Sequence, residues 1–313
     1  MRAAGVTLAA VLAAGTLAHA QQAPNLVTEV RAAVARQDFA EGERLVAAHR
    51  AASGATPVVM EALSWLGRGA LAAGQIDKAD AYAQQTYELV MTALKQQRVD
   101  DDPRLATALG ASIEVMSQAG AKRGARSEAV AFLRQELQRW GATSIAKRIQ
   151  KNLNLLSLEG TPAPALDLSE HLGPAPASLA STKGKAVLLF FWAHWCGDCK
   201  TQAPVLARLL DRYGGQGLVI VAPTQRYGYV AGGRKAPPDE EKAHIEQVRR
   251  TVYGQLPDMA VPLSQANLDR YGVSTTPTLV LVDREGLVRL YNPGRMTEEA
   301  LDPHVRRALG GAR

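Results

Sequence analysis

Cysteine is nearly absent from this 313-residue chain: it has two, Cys196 and Cys199, and both lie in the stretch FFWAHWCGDCK. That scarcity excludes a small framework stapled by several bridges. It also leaves a metal site short, because zinc needs about four ligands and only His194 lies near the two thiols. No metal and no cofactor are expected. Aromatic residues are also few, 5% of the chain. None is interleaved with the basic clusters at Lys122 to Arg126 or at Lys147, Arg148 and Lys151. A nucleic-acid platform wants cations and stacking rings together. The clusters therefore read as solvated helix faces despite a net charge of +6, and nucleic acid is not an expected partner. Beyond the N-terminus no segment could cross a membrane. What remains is a globular composition, 47% hydrophobic and 21% charged, long enough for two ordinary domains.

The N-terminal stretch MRAAGVTLAAVLAAGTLAHA has one early positive charge, an apolar run and then Ala18-His19-Ala20. That is the order of a secretory signal. Gly5, Thr7, Gly15 and Thr16 dilute the apolar run, which falls short of the ~20 strongly apolar residues of a span. Residues 1–20 are expected to be a signal peptide cleaved after Ala20, with a retained anchor as the competing reading. No cysteine follows to support a lipid anchor. The mature chain is then expected to be periplasmic or secreted, where thiols oxidise. A bridge from Cys196 to Cys199 would close too short a loop to add much stability. The spacing argues for chemistry over stapling.

Two textures divide the rest. Residues 21–158 are rich in Ala, Leu, Gln and Arg, with apolar positions at helical spacing. Leu26, Val30 and Val34 line one helix, and Leu45 and Val46 a second, with a turn near Gln37-Asp38. Leu63, Leu66 and Leu71 line a third helix, a break falls at Gly74-Gln75, and another helix starts near Asp77. Leu105, Leu109, Ile113 and Met116 repeat the design before a break near Gly120. These helix pairs resemble tetratricopeptide repeats, through Trp65-Leu66-Gly67 and the Ala79–Tyr82 piece. An ordinary helical bundle is the bland alternative. Prolines and glycines then cluster, and the boundary is placed near Glu159. Residues 159–313 contain AVLLFFW and GLVIVAP, strand-length apolar runs flanking a helix, and an Asp283–Gly286 hairpin. That pattern predicts a βαβ unit in a mixed sheet with helices on both faces.

A CxxC pair opening the helix of a βαβ unit is a specific signal. The helix N-terminus stabilises a thiolate, and an i, i+3 spacing brings the second thiol within reach. The exposed Cys196 is the expected nucleophile and Cys199 the resolving thiol. The segment FFWAHWCGDCK, with GTPAPALDL before it and VSTTPTLVLVDREG after it, resembles the thioredoxin superfamily, and within it the exported TlpA/ResA branch. The resemblance covers about Gly160 to Leu309, half the chain. It implies an α/β thioredoxin-like fold with a short N-terminal hairpin before the core. It also implies a cis Thr276-Pro277 facing the cysteines, whose backbone at Thr276 pairs with a substrate strand. Trp195 is expected on the substrate-docking surface, Trp192 in the core, and Pro204 at a helix kink.

Three departures qualify the likeness. Asp198 stands where the family most often has proline, and an ionised carboxylate there raises the Cys196 pKa and favours a reducing couple; a solvated, screened Asp198 is the alternative. Phe190 stands where thioredoxin itself has a buried acid, leaving Asp198, His194 or water to accept a proton; His194 reads equally as an exposed bystander. Residues Thr224 to Asp258 form an insertion with a helix from about Pro238 to Tyr253, and Arg226, Tyr227 and Tyr229 are candidates to line a substrate groove. The leading function is a cell-envelope thiol-disulfide oxidoreductase, reducing disulfides in exported proteins. A membrane thiol-disulfide relay would supply its electrons, and the helical half would hold a protein partner. The alternative is a helical-repeat scaffold carrying a regulatory or vestigial thioredoxin-like module. A thiol peroxidase lacks its cysteine context here.

Overall fold

A computed structural model describes residues 25–256 and 258–310. The signal-like pattern of residues 1–20 lies outside them. Among the described residues, seven helices come first: α1 (Leu26–Ala35), α2 (Phe39–Ser53), α3 (Pro57–Ala72), α4 (Ile76–Ala93), α5 (Pro103–Lys122), α6 (Arg126–Trp140) and α7 (Ala146–Ser157). Short connections make α1/α2, α3/α4 and α5/α6 antiparallel hairpins. Asn25, Asp38 and Asp102 cap α1, α2 and α5 with side-chain oxygens that accept backbone N–H groups. α4 packs on α3 across Gly67, where a Cβ would meet Ala79 O at 3.5 Å and Tyr82 Cβ at 3.6 Å, ordinary contact distances. Two apolar clusters fill this half, one around Leu63 and Leu66, the other around Leu105, Leu109 and Ile113.

The third break falls later than its glycine suggested. Gly120 lies inside α5, and the turn is made at Gly124, where φ is +90°. α7 follows the three pairs with Ile149, Leu153 and Leu156 on its core side, and the basic residues on it are not a solvated face. Lys147 pairs with Asp269 at 2.8 Å, while Arg148 and Lys151 share Glu114 at 2.8 and 3.0 Å. Arg123 likewise bridges Asp77 and Asp80, each at 2.7 Å. Carboxylates far away in sequence convert these clusters into inter-helix ties.

The chain then builds β1 (His171–Leu172), β2 (Ala186–Phe191), α8 (Gly197–Tyr213), β3 (Leu218–Val221), α9 (Pro238–Val252), β4 (Val261–Pro262), α10 (Gln265–Arg270), β5 (Thr278–Val282), β6 (Val288–Pro293) and α11 (Glu298–Ala308). The main sheet has the order β3-β2-β5-β6. β2 is parallel to β3 and antiparallel to β5, which pairs antiparallel with β6. Alternation along β2 splits the core. Leu188 and Phe190 face α8, α9 and α11, and Val187, Leu189 and Phe191 face α10. The N-terminal hairpin implied by the resemblance is not formed among the described residues. β1 instead pairs antiparallel with β4, because the insertion returns the chain beside residues 170–172. Leu263 N donates to Glu170 O at 2.9 Å in the same place.

The two halves touch. α7 packs against β6 and α10. Gly272, with φ +62°, sits so close to α7 that a Cβ would fall 2.4 Å from Lys151 N and 2.6 Å from the Gln150 carbonyl carbon. Backbone there cannot yield cheaply. Gly272→Ala is expected to lower stability by about 2–4 kcal/mol in urea denaturation. The control Gly286→Ala, at φ +89° with open space around it, should lose only about 1–2 kcal/mol. Equal losses would remove the close approach as the cause.

Candidate active site

β2 ends in the middle of the sheet, and Trp192–Trp195 carry the chain from it to α8. Trp192 stays in the core, donating its indole N–H to Ala222 O at 2.9 Å. Thr224 Oγ1 donates to Trp192 O at 2.7 Å. The loop is thus pinned on both sides, and α8 must begin where it does. Cys196 is the N-cap of α8, and its Sγ accepts the Cys199 N–H at 3.0 Å. Unpaired amides and the helix dipole favour negative charge at this point, which lowers a thiol's pKa. Cys196 and Cys199 form a disulfide with Cα atoms 5.3 Å apart.

Thr276-Pro277 is cis, as the resemblance implied. Although 80 residues distant in sequence, the Thr276 carbonyl oxygen lies 3.5 Å from Cys196 Sγ. β5 begins at Thr278, opposite Phe191, and this register brings the two segments together. Cys196 is less open than the sequence suggested, 4% exposed against 0% for Cys199, because Sγ turns in toward Thr276 and Cys199. The most exposed apolar group beside it is Trp195, 49% exposed, with its ring edge-on to Tyr227 at 5.5 Å.

His194 is not an exposed bystander. It is buried, and its ring lies 5.0 Å from His244, 5.5 Å from Tyr229 and 5.7 Å from Tyr227. Its Nε2 stands 3.4 Å from Glu241 Oε1, longer than the usual limit of about 3.2 Å for a good N–H···O bond. Burial first, then the His244 charge, holds the His194 pKa below its ordinary 6.5, and Glu241 opposes them. Glu241 is buried too, and accepts backbone N–H bonds from Tyr227 and, at 2.8 Å, from Gly228. One carboxylate from α9 thereby holds the Tyr227 turn against Trp195. Arg226 does not reach a groove, because Glu170 takes both of its terminal nitrogens at 2.9 and 2.6 Å. Those contacts hold the Glu170 carboxyl down at about 2.

Asp198 is solvent-exposed but not alone, since Arg295 Nε lies 3.2 Å from its Oδ1. Gln202, buried one turn after Cys199, accepts Met296 N–H at 2.9 Å and so anchors the segment that carries Arg295. Glu241, Arg295 and Gln202 were not legible as site residues. Each acts across the fold, and DEEK or NPGRM looks like ordinary surface in one dimension.

The mixed sheet, the helix-capping cysteine and the facing Thr276-Pro277 together define a thioredoxin-like disulfide centre. Residues 175–309 match the family model described as a thioredoxin-like domain. Thiol-disulfide oxidoreductase ResA of Bacillus subtilis (strain 168) is 30% identical over 147 residues, 47% of this chain and 74% of that protein. Its namesake in Geobacillus thermodenitrificans (strain NG80-2) is 29% identical over 47% of this chain and 75% of that protein. A solved structure described as a DsbE-type thiol:disulfide interchange protein of Chlorobium tepidum is 26% identical, with TM-score 0.39, covering 49% of this chain and 98% of that one. The chain belongs to the ResA-like thiol-disulfide oxidoreductases of the thioredoxin-like family.

Two outcomes follow from the charges. A His pKa lowered by folding stabilises the fold above about pH 6.5, and that contribution is lost as pH falls through the folded value. His304, also lowered by burial, has the same sign. Stability is therefore expected to drop on acidification below about pH 6.5, and His194→Gln should flatten that limb while His304 keeps part of it. The Asp198–Arg295 pair sets opposite signs on the redox couple. Arg295→Gln bares the carboxylate and makes the couple more reducing, whereas Asp198→Asn leaves the guanidinium and makes it more oxidising. An exposed charge is worth about 0.5 kcal/mol, about 10 mV for two electrons. Equilibration against glutathione measures both, and shifts of the same sign would remove the pair as the cause.

Proposed function

We propose that this oxidoreductase works outside the cytoplasm as a reductase of disulfides in exported proteins, with Cys196 attacking and Cys199 resolving. The observation that carries this reading is Cys196 Sγ at the α8 N-cap, accepting the Cys199 amide and facing the Thr276 carbonyl. Starting from the dithiol, the Cys196 thiolate attacks one sulfur of a client disulfide. A mixed disulfide forms and one client thiolate leaves. The Cys199 thiolate then attacks Cys196 Sγ, releasing the second client thiolate and closing the Cys196–Cys199 bond. Two electrons pass to the client, and a membrane thiol-disulfide relay returns two to this pair. The core position Phe190 is apolar and buried, so water, Asp198 or His194 takes the Cys199 proton. Trp195 and the backbone at Thr276-Pro277 receive the client chain. His194 modulates through its contact with Glu241.

The signal-like pattern of residues 1–20 supports a periplasmic or secreted location. No helix among the described residues is long and apolar enough to cross a membrane. Residues 21–158 form the partner-holding unit, a TPR-like array, and 159–313 the redox unit. The scaffold reading is disfavoured by two cysteines already within bonding distance, which a vestigial module has no need to keep.

Trapping distinguishes the roles. Cys199→Ser is expected to accumulate covalent adducts with disulfide-bearing envelope proteins, and Cys196→Ser to accumulate none. Reductant-sensitive bands on non-reducing gels read this directly. Adducts in neither variant, together with no insulin reduction by the dithiol-charged wild type, would overturn the redox reading in favour of the scaffold.

A further inference from the structure

The odd-numbered helices form one layer of the helical half, α1 against α3, α3 against α5 and α5 against α7. Its cations are unevenly matched. Arg31 of α1 and Arg68 of α3 both stack on Trp65, with guanidinium carbons 4.5 and 4.3 Å from the ring centroid. The Trp65 indole N–H is buried with no acceptor among the described residues. Arg68 is half-buried, and its neighbours in electrostatic reach are Arg148, Arg31 and a single carboxylate, Glu114. That carboxylate is already committed to Arg148 at 2.8 Å and Lys151 at 3.0 Å. Arg68, Arg148 and Lys151 therefore share one acid, and neither Arg31 nor Arg68 makes an ion pair among the described residues. Leu155, 36% exposed, lies on α7 four residues after Lys151 and seven after Arg148, on the same helix face. It and Trp195 are the exposed large hydrophobics among the described residues.

Holding a guanidinium half out of water without an acid is unfavourable. Burial and the Arg148 charge both weaken the hold of Arg68 on its proton, and the opposite charge of an arriving carboxylate would offset them. We propose that this face of the helical half binds an acidic, partly apolar segment of a partner protein, its carboxylates pairing with Arg31 and Arg68 and an apolar side chain covering Leu155. The chemistry favours peptide over other anions. The Trp65 ring already carries two guanidiniums, so it offers no free face for a base. A lone leucine between cations is not the broad apolar surface that inserts into a bilayer. Binding here needs no electrons, so it stands or falls separately from the disulfide reaction.

The probe is a fluorescein-labelled decapeptide of alternating Glu and Leu, titrated with the full chain and followed by anisotropy. Salt-sensitive binding is expected, with the matching Gln-Leu peptide at least about tenfold weaker. Arg31→Gln with Arg68→Gln should weaken the Glu-Leu peptide by about tenfold or more, and Leu155→Gln by a few-fold. Lys122→Gln, an exposed cation elsewhere on the helical half, should leave it unchanged. Arg68→Met keeps the stem packed on Trp65 and should still lose affinity, which separates charge from folding. Insulin reduction is expected to be unaffected throughout. The proposal is overturned if the Gln-Leu peptide binds as well, or if Lys122→Gln loses as much. It is equally overturned if a single-stranded oligonucleotide or phosphatidylserine vesicles bind more tightly through the same arginines, or if those arginines instead drive self-association in sedimentation.

Discussion

The amide of Cys199 pointing at the sulfur of Cys196 is the contact on which the C-terminal half turns. It exists only because α8 begins where it does, directly after a strand buried on both faces. β2 has no freedom to slide: its side chains fill two separate apolar clusters, and a one-residue slip would exchange them. The Trp192 bonds to Ala222 and from Thr224 then clamp the strand's exit. A helix N-terminus held this firmly offers its free amides to one place, and the chain puts a thiol there.

Around that fixed point the structure adds charge in pairs. Asp198 meets Arg295, Arg226 meets Glu170, and Glu241 meets backbone amides and His194. The centre is therefore not governed by a single bare carboxylate beside the nucleophile, which is how CGDC reads in isolation. The insertion is not a plain surface excursion either. Its helix α9 supplies Glu241, which fixes the turn that braces the exposed Trp195 through Tyr227. A segment that looks optional for the fold thus shapes the wall of the site.

The helical half is tied to the redox half through α7, whose backbone lies against Gly272 and whose Lys147 pairs with Asp269. The Pro- and Gly-rich segment near Glu159, where the boundary is placed, pairs with the sheet. Gly160 N donates to Val288 O at 2.8 Å, and Val288 N donates to Thr161 O at 2.9 Å. Helices α1 and α3 keep two guanidiniums on one indole, neither in an ion pair among the described residues, an arrangement that packing alone does not favour.

Local and periodic features were readable in one dimension. The helix pairs followed from apolar spacing, the buried strands from AVLLFFW and GLVIVAP, and the redox pair from two cysteines at i and i+3 before an amphipathic helix. Each depends on neighbours within a few residues, where sequence and geometry are nearly the same thing. The burial of His194, the partner of Asp198, the role of Glu241 and the seat of β1 on β4 were not readable. Every one of them is a meeting of residues tens of positions apart, chosen by how helices and sheet close on each other. Sequence alone determined that this chain carries a disulfide centre on a helix N-terminus. Only the tertiary structure decided which charges and rings surround it, because a side chain's electrostatic and packing partners are set by distance in space.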